Sequence, residues 1–218
     1  MIRRLPAAWF CLLLSTPLLA AQVPAVVPPF TPSAANGTMR IHTRPSIEIT
    51  VGGQRIELEK TSLEQIQKSL GGTIAQRGEE EEATYGLCYL THIGDKRARL
   101  WLLSEKQDPA PQNHPIDSAL ATPEADGEPV PSNCGELKGP TSVKLDDASI
   151  GSPMSGIQAK LGRGSRQKGG WLGYAYHARG GSSGLSQFLF VAIGPYQDAV
   201  SDLYIAQTSG QPSSGDDD

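Results

Sequence analysis

Several serine, histidine and acidic residues in this 218-residue chain stand at spacings that could support catalysis. Residues 180–184, Gly-Gly-Ser-Ser-Gly, fit the Gly-x-Ser-x-Gly pattern of a hydrolase nucleophile elbow. That elbow needs a strand before the serine, a helix after it and a later histidine as base. Here the last histidine, His177, precedes Ser182, and residues 185–193 alternate as a strand does. The motif therefore reads as a glycine-rich hairpin loop. Ser165 and Lys168 fit the Ser-x-x-Lys pattern of penicillin-recognising enzymes, yet no Ser-Asp-Asn or Lys-Thr-Gly partner follows. Gly162 and Gly164 begin a dinucleotide fingerprint, but Gln167 stands where its third glycine belongs, outside any parallel β-α-β pattern.

Metal chemistry fares no better. His42, His92, His114 and His177 are scattered, without acidic or cysteine partners at ligand spacing. The run from Glu79 to Glu82 is consecutive, whereas a calcium loop needs alternating ligands that converge on one ion. It reads as a solvated loop. Arg163, Arg166 and Lys168 read as a basic turn that could meet an acidic partner. The sequence thus offers no catalytic centre, no metal site and no cofactor fingerprint.

The amino terminus has the layout of a secretory signal. Arg3 and Arg4 form a positive start, residues 7–19 are almost wholly apolar, and Ala20 and Ala21 are small. Ser15, Thr16 and Pro17 interrupt a run already shorter than a membrane span of ~20 residues. Cys11 lies inside that run rather than after a lipobox. Export would remove two of the 19 basic residues and none of the 23 acidic ones, leaving 17 against 23 and a net charge of −6. Nothing in that balance invites a nucleic acid. Two cysteines, Cys88 and Cys134, would enter an oxidising periplasmic or extracellular compartment, where they are expected to pair.

Behind residues 1–21, the chain divides by composition. Residues 22–40 are rich in Pro, Ala and Ser and read as a flexible leader, and residues 105–141 read as a proline-rich connector. Residues 208–218 lack apolar periodicity and read as a disordered tail. Between them lie two alike stretches, residues 41–104 and 142–207. Each opens with a short alternating strand. Apolar residues follow at helical spacing, Leu63, Ile66 and Leu70 in the first and Met154, Ile157 and Leu161 in the second, closed by Gly71 and Gly162. Aromatic-rich strands come next, at residues 85–90 and 98–104, then at 171–177, 187–193 and 200–207. The expectation is an α+β fold of two similar units, each a short helical element packed on a small antiparallel sheet.

This helix, glycine and aromatic-strand order resembles the fold of β-lactamase inhibitory protein and of the small outer-membrane assembly lipoproteins. Residues 63–71 with 85–90, and 154–162 with 171–177 and 200–207, carry the resemblance. The assembly lipoproteins have a lipidated terminal cysteine and one copy, whereas the inhibitory protein has two tandem copies, as expected here. That protein presents a sheet face to an enzyme, so the resemblance implies a binding protein.

Side chains alternate across a strand, and sorting them suggests which face a partner would meet. Leu189, Val191 and Ile193 oppose Phe188 and Phe190; Leu203 and Ile205 oppose Tyr204; Leu100 and Leu102 oppose Trp101. Tyr174 aligns with Tyr176, and Tyr85 with Leu87 and Tyr89. The expected contact face is aromatic: Tyr85, Tyr89, Trp101, Tyr174, Phe188, Phe190 and Tyr204. The same face could equally be a second core. The sequence therefore points to an exported binding protein that meets a protein partner in the cell envelope, as an inhibitor or immunity protein. An envelope assembly factor and a hydrolase with an unrecognised site are the alternatives. No integral membrane span is expected, and the oligomeric state is left open.

Overall fold

Alternating apolar residues, not helices, organise the molecule. The computed structural model describes residues 38–78, 83–105, 113–125, 127–178, 184–194 and 198–209. In chain order its elements are β1 (Met39–Ile41), β2 (Ile47–Val51), β3 (Gln54–Ile56), α1 (Leu63–Leu70), β4 (Ala75–Arg77), β5 (Thr84–Ile93) and β6 (Lys96–Ser104). They continue with β7 (Ser118–Pro123), β8 (Cys134–Glu136), β9 (Ser142–Leu145), α2 (Met154–Leu161), β10 (Ser165–Arg166), β11 (Trp171–His177), β12 (Leu185–Ile193) and β13 (Val200–Ser209). The expected signal peptide, most of the leader, Glu79 to Glu82, Ser182 and residues 210–218 lie outside the described residues.

The expected α+β fold of two small sheets is overturned. A single ten-stranded mixed sheet runs β1-β11-β12-β13-β7-β6-β5-β4, with β10 beside β11 and β8 beside β5. The physical reason lies in the segment read as a connector. Ser118-Ala-Leu-Ala-Thr-Pro forms β7, which pairs with β6 on one side and β13 on the other. Two sheets that would each have exposed an apolar edge are thereby joined. A second sheet, β3-β2-β9, ties Ile49 to Val143 across the chain. β1 crosses to pair in parallel with β11. Both halves therefore share one core.

The helices occupy the two stretches with helical apolar spacing. Ser62 caps α1 and accepts from the Gln65 N–H at 3.2 Å, while the Gln65 side chain accepts from the Ser62 N–H at 2.8 Å, a reciprocal capping box. α2 lacks a side-chain cap, since Pro153 precedes it. Each ends on a glycine with positive φ, 76° at Gly71 and 89° at Gly162. Leu63 and Ile66, and Met154, Ile157 and Leu161, are buried against the sheet. They join Leu87, Leu100, Leu102, Leu189, Val191, Leu203 and Ile205 of the large sheet, and Ile49, Val51 and Val143 of the small one, in one cluster. Each such side chain contributes about 1.5–3 kcal/mol when fully buried.

Cys88 and Cys134 form the expected disulfide, with Cα atoms 4.4 Å apart and a separation of 46 positions in sequence. Closing a loop of that length restricts the unfolded chain by about 4 kcal/mol. No helix among the described residues is long and apolar enough to cross a membrane.

Candidate functional site

The sheet has two faces, and strand register assigns every side chain to one of them. On the face away from the helices a single row crosses the molecule: Cys134, Cys88, Trp101, Leu120, Tyr204, Phe190, Gly173 and Ser165. The disulfide stands at one end of this row and aromatic rings fill its middle. Trp101, Phe190 and Tyr204 are 3%, 1% and 3% exposed, so the band is packed against its own neighbours and is core-like. Leu103, Ala75 and Ala206 extend the same cluster, and every member belongs to the ten-stranded sheet.

Gly173 is needed in this row. A Cβ there would lie 3.0 Å from the Phe190 ring and 3.1 Å from Thr38. The glycine lets the cross-strand Phe190 ring approach β11 closely, 6.0 Å from Tyr204 between centroids. Next to the band, the rim at β11 and β12 is more open. Trp171 and Phe188 are half-buried. His177 meets Phe188 edge-on with centroids 5.7 Å apart, and its Nδ1 lies 2.8 Å from Ser186 Oγ. Half-buried aromatics beside a polar rim have the anatomy of a contact patch.

Charge is placed at both margins. The Arg99 side chain, 11% exposed, meets Glu128 at 3.3 Å, while its Nε and Nη2 are buried with no hydrogen-bond partner. Asp202, one position along β13 from Tyr204's neighbour Leu203, accepts from Ser201 Oγ at 2.7 Å, and burial pushes its carboxyl up. At the other margin burial raises Glu105, with Arg77 opposing. Burial likewise pushes the Tyr204 hydroxyl up, and the charges of Glu105 and Asp117 add to that.

Three of the seven expected contacts belong elsewhere, a correction to the sorting by residue type. Tyr89 pairs with Leu100 and Tyr174 with Leu189, which places both rings on the helix side. They are 1% and 0% exposed within the main core. Their hydroxyls are tied to the ends of the helices: Tyr89 donates to the Gly71 carbonyl at 2.7 Å and Tyr174 to the Gly162 carbonyl at 3.2 Å. Burial pushes both phenols up to about 12. Tyr85 is also on the helix side, half-buried, its ring 4.0 Å from that of His114. His114 Nδ1 sits 2.5 Å from Glu64 Oε1, and its backbone N–H donates to Glu64 Oε2 at 3.0 Å. Burial acts to raise Glu64, but those hydrogen bonds outweigh it and hold the carboxyl below its ordinary value.

Of the expected contacts, Trp101, Phe188, Phe190 and Tyr204 share the aromatic face. Trp171 and Arg99 share it too and were not among the expected residues. The signal for both was present in the alternation, since Trp171 is two residues before Gly173 and Arg99 two before Trp101. What was missing was the register that brings those strands together. Among the described residues, no group of three or more His, Cys, Asp or Glu gathers as metal ligands do. No protein-family model, curated protein or solved structure matches the chain.

Proposed function

We propose that the protein is an exported binding protein that meets a protein partner in the cell envelope, as an inhibitor or immunity protein, through the rim of its aromatic face. One observation carries this reading. The helices and the small sheet pack on one side of the ten-stranded sheet, whereas the aromatic cluster on the other side is drawn from the sheet alone and ends in the half-buried Trp171 and Phe188. Partly buried aromatics held rigidly by a sheet give contact area at low entropic cost and are the residues that dominate interface energetics. The Cys88–Cys134 disulfide supports an oxidising compartment.

Capture from a periplasmic extract with the immobilised full chain tests the reading. One enzyme or toxin retained in stoichiometric amount is the expected result, with retention reduced about tenfold or more in Trp171→Ser/Phe188→Ser, which corresponds to at least ~1.4 kcal/mol. Retention of outer-membrane assembly components instead, or equal capture by a folded double variant, would overturn it.

A further inference from the structure

The margin of the sheet next to Trp171 and Phe188 differs in charge from the rest of the chain. Residues 22–47 and 148–197 contain none of the 23 acidic residues, but seven of the 17 basic residues beyond residue 21. These two stretches supply β1, α2, β10, β11 and β12. They are far apart in sequence and meet where β1 and β10 line the outer edge of β11. Arg40 stands beside Ala175 and Arg166 beside Leu172, three positions or ~10 Å apart along β11. Lys168 follows in the short turn that leads into Trp171.

Arg40, Arg163, Arg166 and Lys168 are all exposed, and none of them forms a salt bridge among the described residues. Lys160 on α2 is paired, with Asp147 at 2.6 Å. The first acidic residues inward across the sheet are Asp198 and Asp202, on β13 or the turn before it, two strands from β11. The loop that carries the basic residues is held closely. A Cβ on Gly162 would meet the Met39 side chain at 2.7 Å, and one on Gly164, where φ is 70°, would meet the Tyr174 ring at 2.8 Å. The chain between α2 and β10 is therefore pressed against β1 and β11, which fixes where Arg163 and Arg166 leave the backbone.

Like charges gathered in this way repel one another, and carboxylates brought by a partner would relieve that repulsion. A basic edge also discourages pairing with a second copy of the sheet. That role needs charge on β1 alone, whereas the exclusion of acidic residues extends through β10, the turn before Trp171 and all of β12. Apolar contact stands beside the charge. Arg40, Ala175 and Phe188 form one cross-strand row, and Ile193, 38% exposed, follows the Ala192 that pairs with Trp171. Arginine next to half-buried rings is the composition of protein interface hot spots. Rings set in a rigid sheet, rather than projecting from an amphipathic helix, match a shaped protein surface better than a bilayer.

We propose that this margin docks an acidic protein surface, whose carboxylates meet Arg40, Arg163, Arg166 and Lys168 while its apolar groups meet Trp171 and Phe188. This rests on the binding role proposed above and adds the chemistry of the partner. Titration of the full chain with poly-L-glutamate, followed by nuclear magnetic resonance at the Trp171 indole N–H and the backbone of residues 163–168, tests it. Saturable shifts confined to this margin are expected. Affinity should fall about tenfold or more between ~0.01 and ~0.15 M salt, as the Debye length shortens from ~30 to ~8 Å. Arg40→Glu/Arg166→Glu/Lys168→Glu should weaken binding about tenfold or more, and the neutral Arg40→Gln/Arg166→Gln/Lys168→Gln should weaken it in the same direction. Lys68→Glu/Lys96→Glu/Lys138→Glu changes the net charge equally at exposed positions elsewhere and should leave binding within about twofold. Phosphatidylglycerol vesicles and duplex DNA at matched charge should bind the margin more weakly. The proposal is overturned if poly-L-glutamate does not saturate, if the two Glu variants lose binding equally, or if vesicles or DNA bind this margin more tightly. A captured envelope partner that depends on Trp171 and Phe188 but not on Arg40, Arg166 and Lys168 would refute this inference and leave the binding role standing. A charge-dependent poly-L-glutamate site with no partner captured would uphold the acidic chemistry and refute that role.

Discussion

The two faces of the ten-stranded sheet are built from the same strands but solve different problems. Toward the helices, Leu100, Leu102, Leu189 and Ile205 are completely buried beneath α1, α2 and the small sheet. Packing there is between separate elements. Away from the helices, Trp101, Tyr204 and Phe190 are buried along one cross-strand row, and the row opens at Phe188 and Trp171. Burial on this side comes from large rings in register, and the difference lies in what a truncation leaves behind. A cavity under two helices can collapse little, whereas a gap in a row of neighbouring rings can be partly closed by rotamer shifts.

The largest expected effects test that contrast directly. Leu100→Ala should cost about 2–5 kcal/mol, and Trp101→Ala about 3–5 kcal/mol, by chemical denaturation. Per atom removed, the tryptophan should cost less. An equal or greater cost per atom would show that the aromatic row is covered as tightly as the helix side.

A smaller effect compares the two tyrosines that brace the helix ends. Tyr89→Phe and Tyr174→Phe each delete one hydrogen bond to a glycine carbonyl, a loss of about 1 kcal/mol. The shorter Tyr89 bond, 2.7 Å against 3.2 Å, should make the first variant the less stable in thermal unfolding. The reverse order would mean that the carbonyl of Gly71 finds another donor.

The smallest effect concerns the margin of the aromatic face and depends on pH. Burial raises the Asp202 carboxyl, so the folded chain holds its proton more tightly than the unfolded chain does. The folded state is thus relatively favoured below the unfolded value of about 3.9 and loses that advantage as pH rises through the raised folded value. Asp202→Asn should therefore melt higher than the parent at neutral pH, with the gap closing below about pH 4. A gap that persists in acid would rule out the charge as its cause.

Local features of this fold were legible in the residues, and its long-range joins were not. Leu63, Ile66 and Gly71, and Met154, Ile157 and Gly162, mark both helices and their stops, because helix spacing and glycine caps are local properties. Two cysteines outside the expected signal peptide were enough to foresee the Cys88–Cys134 pair. β7 was hidden because Ser118, Ala119 and Ala121 are small and sit among prolines; its place is set by β6 and β13, not by its own apolarity. Tyr89 and Tyr174 lie on the helix side, against the sorting by residue type, because strand register sets the face. Their ring hydroxyls can be buried on the helix side since a glycine carbonyl receives each one. The hydrogen bond from Gln207 Nε2 to Glu59 Oε2 could not be read at all, since the two residues are 148 positions apart.

Oxidative footprinting of the captured complex tests the central proposal, that the rim of the aromatic face is what meets the partner. Labelling of Trp171 and Phe188 should fall when the partner is bound, while Tyr85 on the helix side keeps its free-state reactivity. Protection of Tyr85 with Trp171 and Phe188 unchanged would place the contact on the wrong side of the sheet and contradict the account.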